Sequence, residues 1–237
     1  MEVPSREGVE RARGSGGVPM KFFSFWRSLA SFRVRIALNL KGIEPEVIDI
    51  DLMKGAQRAD AYRAVNPQMV IPALVDDDQA PLFQSLAIIE YLDEVRPQPR
   101  LLPADPRGRA RVRGLAMIVA CDAHPFIVPR VRNFLEHELG LDEAQRTKWI
   151  RHWINEALSA LEAHVAHEKD TGRFCHGDSP TLADLCLVSH AAGAQYYDCA
   201  ISPFPTVSRI VDTCMAIDAF ARAHPLNQPG APQSAVH

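Results

Sequence analysis

The sequence lacks the features that would place it in a membrane or on nucleic acid. Its 237 residues contain no apolar run approaching the roughly 20 residues that a membrane-spanning helix needs. The formal net charge is only -3, so neither a basic nucleic-acid-binding surface nor an acidic tail is indicated. The N-terminus also lacks the apolar segment of a secretory signal. These absences favour a globular chain long enough for one large or two small domains.

Cysteines are few and unpaired in the sequence. The five are scattered, odd in number and without any Cys-x-x-Cys spacing: Cys121, Cys175, Cys186, Cys199 and Cys214. This argues against a disulfide framework and a zinc site, and it favours reduced thiols in the cytoplasm. No group of histidines has metal-ligand spacing, so we expect no metal.

Composition divides the chain into segments. Residues 1–19 are polar and glycine-rich, which predicts a disordered extension. Residues 20–96 mix strand and helix patterns, 97–106 form a proline-rich linker, and 107–230 are helical in period without a convincing strand. Residues 231–237 complete the chain as a flexible tail. We therefore predict a small α/β domain followed by an all-α domain.

The α/β segment reads as strand, helix, strand, helix, strand, strand, helix. The first strand spans Lys21–Trp26 and its helix ends at Leu40, before Lys41-Gly42. The hairpin pairs "VIPALVDD" with "QAPLFQ", and the last helix starts at Ser85. Four helical stretches follow the linker. The first is bent near two prolines, and the last is a single helix over 204–225. In open α/β sheets, ligands gather where strands end and helices begin.

Two such junctions carry polar side chains, Arg27-Ser28 and Gln84-Ser85. A helix N-terminus presents unpaired N–H groups and the positive end of its dipole, which together favour anions. The hydroxyls of Ser28 and Ser85 can donate to an anion held there. Each serine, taken alone, also fits a simple helix cap.

Ile71-Pro72 stands at the entry of the third strand. A cis peptide there would leave the Ile71 backbone free to pair with a peptide-like ligand, as an added strand does. A trans proline ending an edge strand is the alternative.

Four stretches, "FWRSLASFRVRIALNLKG", "NPQMVIPAL", "FQSLAIIEYLDE" and "SPTLADLCL", resemble the glutathione S-transferases, and most closely the zeta class. The resemblance implies a thioredoxin-like N-terminal domain, an all-helical C-terminal domain, a homodimer and glutathione as the cofactor. It also implies a role for each matching residue: thiol activation by Ser28, pairing of the Ile71 backbone with the cysteinyl part of glutathione ahead of cis-Pro72, and a glutathione contact from Gln57. Gln84 and Ser85 are implied to hold the γ-glutamyl end.

The chain departs from the zeta motif in one turn. The common Ser-Ser-Cys-Ser reads Ser28-Leu29-Ala30-Ser31 here, so two polar side chains are replaced by apolar ones. Ser28 remains, and a hydroxyl donor at a helix N-terminus favours a thiolate over a thiol. Val70 and the Phe-Trp-Arg-Ser step match the bacterial maleylpyruvate isomerases within the class.

Three basic residues are candidates for substrate binding. Arg27 and Arg130 suit a carboxylate by bidentate pairing, and surface ion pairs are the alternative for both. His124 lies in a "D-x-H-P" step like that of the maleylpyruvate isomerases, although a lone histidine in a helix is more often structural. Thr181 and Asp184 have capping-box spacing, which we interpret as a folding element.

The resemblance favours a glutathione-dependent cis–trans isomerase of a maleyl-type oxo acid, with Ser28 and Arg27 as the catalytic pair. A glutathione transferase that conjugates or dehalogenates small electrophiles is a second hypothesis, since Leu29-Ala30 suits a less polar substrate. A non-catalytic glutathione-binding protein is a third.

Overall fold

The computed structural model describes residues 20–77 and 79–232 of the chain. The predicted extension at 1–19 and the last five residues of the predicted tail lie outside the described residues. The strands are β1 (Lys21–Ser24), β2 (Glu46–Asp49), β3 (Ala73–Val75) and β4 (Leu82–Phe83). The helices are α1 (Leu29–Leu40), α2 (Asp60–Val65), α3 (Ser85–Val95), α4 (Pro106–Ala120), α5 (His124–Ile127), α6 (Pro129–His137), α7 (Glu143–His167), α8 (Leu182–Gln195), α9 (Pro205–Met215) and α10 (Asp218–Ala223).

The N-terminal segment folds around a four-stranded sheet in the order β2-β1-β3-β4. β1 and β2 are parallel, as a strand–helix–strand crossover requires, and the hairpin β3–β4 adds two antiparallel pairings. The predicted α/β order and the thioredoxin-like arrangement are confirmed. The first strand ends at Ser24 rather than at Trp26, because the chain turns into α1 by way of a hydrogen bond from Ser28 N to Phe25 O.

Helix α1 is buried on every side, and this position controls the candidate site. Its residues from Leu29 to Leu38 are all buried, since α3, α8 and α10 pack around it. Phe22 of β1 and Leu74 of β3 belong to the same apolar cluster. A helix with no exposed face normally carries apolar residues throughout. This one carries Arg33 and Arg35, whose charges must therefore find partners inside the protein.

The proline-rich segment between the two parts is held by contacts at its start and at its middle. Leu101 is 1% exposed, its N–H donates to Asp93 Oδ1 over 2.8 Å, and its carbonyl accepts from Leu182 N over 2.9 Å. The buried Lys41 ammonium donates to Asp93, and to the backbone carbonyls of Arg96 and Pro99. The segment thus holds the end of α1 and the start of α8 in a fixed relation.

The first helical stretch after this segment is broken into three helices. Interruptions near Cys121 and at Val128 separate α4, α5 and α6, as the prolines at 125 and 129 predict. Residues 106–137 are long enough and apolar enough to cross a membrane, judged by length and composition alone. By this criterion, the expectation that no apolar run approaches the length of a membrane-spanning helix is wrong. Core helices of globular proteins pass the same test, and α4 packs its apolar face on α8.

The last predicted helix is two helices. A single helix was expected over 204–225, whereas α9 ends at Met215 and α10 begins at Asp218. The chain turns at Ile217, where the backbone is extended. The Ile217 carbonyl accepts a hydrogen bond from Phe220 N. The turn lets α10 pack against α1, where Phe220 is fully buried.

Candidate active site

Three loops meet at one edge of the sheet. Phe23 of β1 pairs with Ala73 at the start of β3, and Ala73 pairs with Phe83 at the end of β4. The residues that follow β1, precede β3 and follow β4 are therefore neighbours. They are Arg27-Ser28, Ile71-Pro72 and Gln84-Ser85, so the register brings together the three steps singled out in the sequence.

Ser28 caps helix α1. Its Oγ accepts a hydrogen bond from Ser31 N over 3.1 Å, so the helix-cap interpretation of this serine is confirmed. A hydroxyl that accepts one hydrogen bond keeps its own proton for donation. The half-buried Ser28 can thus cap the helix and donate to an anion at the same N-terminus.

Arg35 holds the loop between β1 and α1 in place. Its guanidinium donates to Ser24 Oγ, Phe25 O and Trp26 O, over 3.1 to 3.3 Å. It also donates to Ala223 O of α10 over 3.0 Å. All the partners are neutral oxygens, and burial lowers the pKa of Arg35. The conformation of the loop between β1 and α1 thus depends on Arg35, a buried residue in the second turn of α1.

Arg27 stacks on an aromatic ring from the helical domain. Its Cζ lies 5.1 Å from the ring centroid of Tyr196, in the range of a cation–π interaction. Arg27 pairs with no described acidic residue, so the surface ion-pair alternative finds no support in this part of the chain. The Tyr196 hydroxyl is buried without a described partner, and burial raises its pKa. A guanidinium held by its face keeps its N–H edge free for a carboxylate.

The Ile71-Pro72 peptide bond is cis, the first of the two alternatives. The preceding carbonyl, of Val70, accepts from both Tyr62 Oη and Asn66 Nδ2 over 2.7 Å. The Ile71 side chain is 8% exposed and packs with Phe25 in a small apolar cluster. The turn is therefore held on the protein side by Val70 and by packing.

Gln84 and Ser85 form a tight junction between β4 and α3. Gln84 has a φ of 69°, an uncommon conformation for a residue other than glycine, and such residues cluster at functional sites. Its side chain donates to Gln68 Oε1 over 3.0 Å. Ser85 is the first residue of α3, is 7% exposed and accepts from Arg33 Nη1 over 3.4 Å. The simple cap interpretation does not describe Ser85.

Gln57 lies in a short 3₁₀ turn after β2. Its Oε1 atom is buried and has no described hydrogen-bond partner. A buried amide oxygen without a partner costs free energy, and a ligand N–H would relieve that cost.

His124 and Arg130 lie on separate short helices. His124 opens α5, which is fixed by a hydrogen bond from Trp149 Nε1 to Phe126 O over 2.9 Å and by stacking of Phe126 on Trp153. Burial, with the charges of Arg33, His190 and Arg130 nearby, holds the pKa of His124 well below its usual value. His124 is thus a neutral hydrogen-bonding group at neutral pH. Arg130 is exposed on α6.

Leu29 and Ala30 face the core. Both are 9% exposed. Leu29 packs closely on Gly193 of α8, since a Cβ atom added at position 193 would lie 2.5 Å from Leu29 Cδ1. The departure from the zeta motif therefore supports the packing of α1 on α8. It does not supply an apolar wall for a substrate, which removes the sequence argument for the transferase hypothesis.

Sequence reasoning missed Arg33, Arg35 and Tyr196. The signal for the arginines was present, because both interrupt a helix whose other residues are mostly apolar. Tyr196 had no local signal, since only the packing of α8 brings it beside Arg27. The described residues contain no group of three or more metal-ligating side chains.

Comparison with known proteins agrees with this geometry. The family model for the glutathione S-transferase N-terminal domain matches residues 27–95. A maleylpyruvate isomerase from Ralstonia is 45% identical over 210 residues, covering 89% of this chain and 99% of that protein. A maleylacetoacetate isomerase from Pseudomonas aeruginosa is 44% identical over 215 residues, covering 90% of this chain and 99% of that protein.

The likeness extends to solved structures. A maleylacetoacetate isomerase from Methylobacterium extorquens AM1, crystallised with bound malonate and GSH, is 50% identical and has a TM-score of 0.88. The match covers 90% of this chain and 99% of that one. The chain therefore belongs to the glutathione S-transferase family, within the zeta class that includes the maleylacetoacetate and maleylpyruvate isomerases.

Proposed function

We propose that this protein is a glutathione-dependent cis–trans isomerase of a maleyl-type oxo acid. The observation that carries the proposal is the meeting of Ser28, cis-Pro72 and Ser85 at one sheet edge, beside Arg27. Relatives named for this reaction match over nearly their whole length. When bound, glutathione supplies a thiolate that adds reversibly to the cis double bond and leaves again after rotation about the resulting single bond.

The described residues fit glutathione. The buried Gln57 Oε1 lacks a donor, the Ile71 backbone stands beside a cis proline, and Ser85 opens a helix N-terminus. Gln57, Ile71 with Pro72, Gln84 and Ser85 would hold the tripeptide. Ser28 would donate its hydroxyl proton to the thiolate sulfur, and the N-terminus of α1 would add its dipole, so that the anion is favoured over the thiol.

Basic groups from both parts of the chain would serve the oxo acid. Arg27 would hold a carboxylate or the developing enolate oxygen by its free N–H edge, while Tyr196 keeps the guanidinium in place. Arg130 would meet the second carboxylate, and the neutral His124 would contribute a hydrogen bond. Stabilisation of charge that develops only during addition raises turnover rather than ground-state affinity.

An isomerisation assay tests the function. Purified protein is given maleylpyruvate or maleylacetoacetate, with glutathione or with S-methylglutathione, which fills the same site but has no free thiol. We expect conversion of at least one substrate with glutathione only, and glutathione recovered in full. Absence of isomerisation with both substrates would refute the proposal, and net consumption of glutathione would indicate a transferase.

We also propose that the protein acts as a homodimer in the cytoplasm. Phe83 at the end of β4 and Met117 on α4 are large apolar side chains that are about half exposed, 53% and 43%. Arg113 of α4 pairs with Glu90 of α3, so α3 and α4 lie side by side.

All five cysteines are free thiols, consistent with a reducing compartment. Sedimentation of the protein beside a Met117→Glu variant tests the dimer, which the added charge should dissociate.

A further inference from the structure

Arg33 is a buried arginine that makes few contacts. Arg33 is 1% exposed and lies near the centre of α1. Nε donates to Ser189 Oγ of α8 over 2.8 Å and Nη1 donates to Ser85 Oγ over 3.4 Å. Nη2 is buried and has no described hydrogen-bond partner.

No described acidic residue compensates this charge. The groups around the guanidinium are hydroxyls, the thiols of Cys121 and Cys186, and the imidazoles of His124 and His190. Burial lowers the pKa of Arg33, yet an arginine stays protonated at neutral pH. An unpaired charge is costly to bury, and replacing buried ion pairs by well-packed hydrophobic residues is often neutral or stabilising. Folding alone gives no reason for an arginine at this position.

We propose that Arg33 is a positioning residue whose buried charge, acting through Ser85, holds the γ-glutamyl carboxylate of glutathione. The inference rests on the proposed function, because it takes glutathione as the ligand. It goes further by assigning the charge that balances the carboxylate to α1, beneath the site, rather than to a residue that touches the ligand.

The hydrogen bonding supports this arrangement. Because Ser85 Oγ accepts from Arg33 Nη1, its own proton is directed to another acceptor, and a carboxylate above the N-terminus of α3 is such an acceptor. The guanidinium polarises this hydroxyl, and its charge adds to the helix dipole. The buried Nη2 has no described hydrogen-bond partner, so the charge of Arg33 is not neutralised within the described residues.

The test combines one substitution with one change in the ligand. Glutathione and γ-aminobutyryl-cysteinylglycine, which lacks only the α-carboxylate, are titrated calorimetrically into the wild type and into Arg33→Met. We expect Arg33→Met to weaken glutathione binding by about 10- to 100-fold, as for a lost charged hydrogen bond, and to leave the analogue nearly unchanged. We also expect the ligand-free variant to melt at the wild-type temperature or above.

Further variants keep the result interpretable. Arg33→Lys retains the charge and should recover most of the preference for glutathione over the analogue. Arg33→Gln removes the charge but keeps an amide donor, and it replaces Arg33→Met in the test if that variant does not fold. Arg111→Met removes a largely buried arginine that is paired with Glu168. It should lower the melting temperature without changing either affinity.

Several outcomes would overturn the inference. An equal loss of both ligands in Arg33→Met, or no loss of either, would show that the charge does not act on the carboxylate. A lower melting temperature with unchanged ligand preference would show a structural role only. Failure of the wild type to bind glutathione would instead refute the proposed function, and the inference with it.

Discussion

Ser28 shows how one side chain can be structural and functional at once. Its Oγ caps α1 through Ser31 N, and the same hydroxyl keeps a proton to donate. The two roles use different parts of the group, so a cap is no argument against a contact with a thiolate. A substitution here must therefore be tested with a control that separates stability from chemistry.

We predict that Ser28→Ala lowers turnover by about 100-fold, the effect of removing one donor to a developing anion, while glutathione affinity changes little. Loss of the cap should cost about 1 kcal/mol of stability. The measurements are steady-state kinetics and the ultraviolet absorbance of the bound thiolate against pH. Ser31→Ala, which keeps the capping N–H, is the matched control. A near-normal rate in Ser28→Ala would remove this serine from the catalytic role.

The residues of the site fall into two groups, those that a local sequence pattern can locate and those that depend on contacts between distant parts of the chain. Ser28, Pro72 and Ser85 stand at element boundaries, which local sequence pattern can locate. Arg33 and Tyr196 depend on packing between distant parts of the chain, since Arg33 meets Ser189 and Arg27 meets Tyr196 only once α8 lies against α1. The sequence shows that Arg33 and Arg35 interrupt a mostly apolar helix, but it does not show which side chains they meet.

At the scale of elements, helix α8 depends on a buried capping box. Asp184 accepts from Thr181 N and Thr181 Oγ1 through one oxygen, over 2.7 and 2.8 Å, and from Cys175 N through the other, over 2.8 Å. Asp184 is fully buried, so its partners have no water to replace it. This agrees with the interpretation of the motif as a folding element.

We predict that Asp184→Ala destabilises the protein by about 3 kcal/mol or more, because three buried donors lose a charged acceptor. Helix α7 supplies the control, since Asp142 and Gln145 form a capping box at the surface. Asp142→Ala should cost about 1 kcal/mol. Chemical denaturation of both variants measures the difference, and equal losses would contradict the role of burial.

Element boundaries were predicted well where the chain carries its own stop signals. The breaks around α5 follow prolines, and α1 ends before Lys41-Gly42 as expected. The break between α9 and α10 was missed, because Ala216-Ile217 continues the apolar helical pattern. Packing of Phe220 and Ala223 in the core, rather than a local breaker, determines that turn.

At the scale of the whole molecule, buried histidines connect stability to pH. Burial lowers the pKa of His190 to about 4, and Nε2 donates to Ile154 O over 3.1 Å. The pKa of His124 is lowered as well. Between about pH 6.5 and 4 the unfolded chain binds protons that the folded protein does not, so stability falls as the pH falls through this window.

We predict that the free energy of unfolding decreases by up to about 1.4 kcal/mol per pH unit for His190 alone below pH 6.5. His190→Gln, which keeps a donor for Ile154 O, should show a shallower decrease between pH 7 and pH 5. His137→Gln, at an exposed position, is the matched control. Parallel stability curves for the wild type and His190→Gln would refute the assignment.

The position of α1 has a consequence for dissecting the protein. This helix belongs to the N-terminal fold by sequence, yet α8 and α10 cover much of its surface, and Arg35 takes one of its acceptors from Ala223. A fragment ending after α3 would expose apolar faces and release the loop that carries Ser28. The glutathione-binding half is thus not an excisable module, and grafting it onto another helical partner would require redesign of α1 itself.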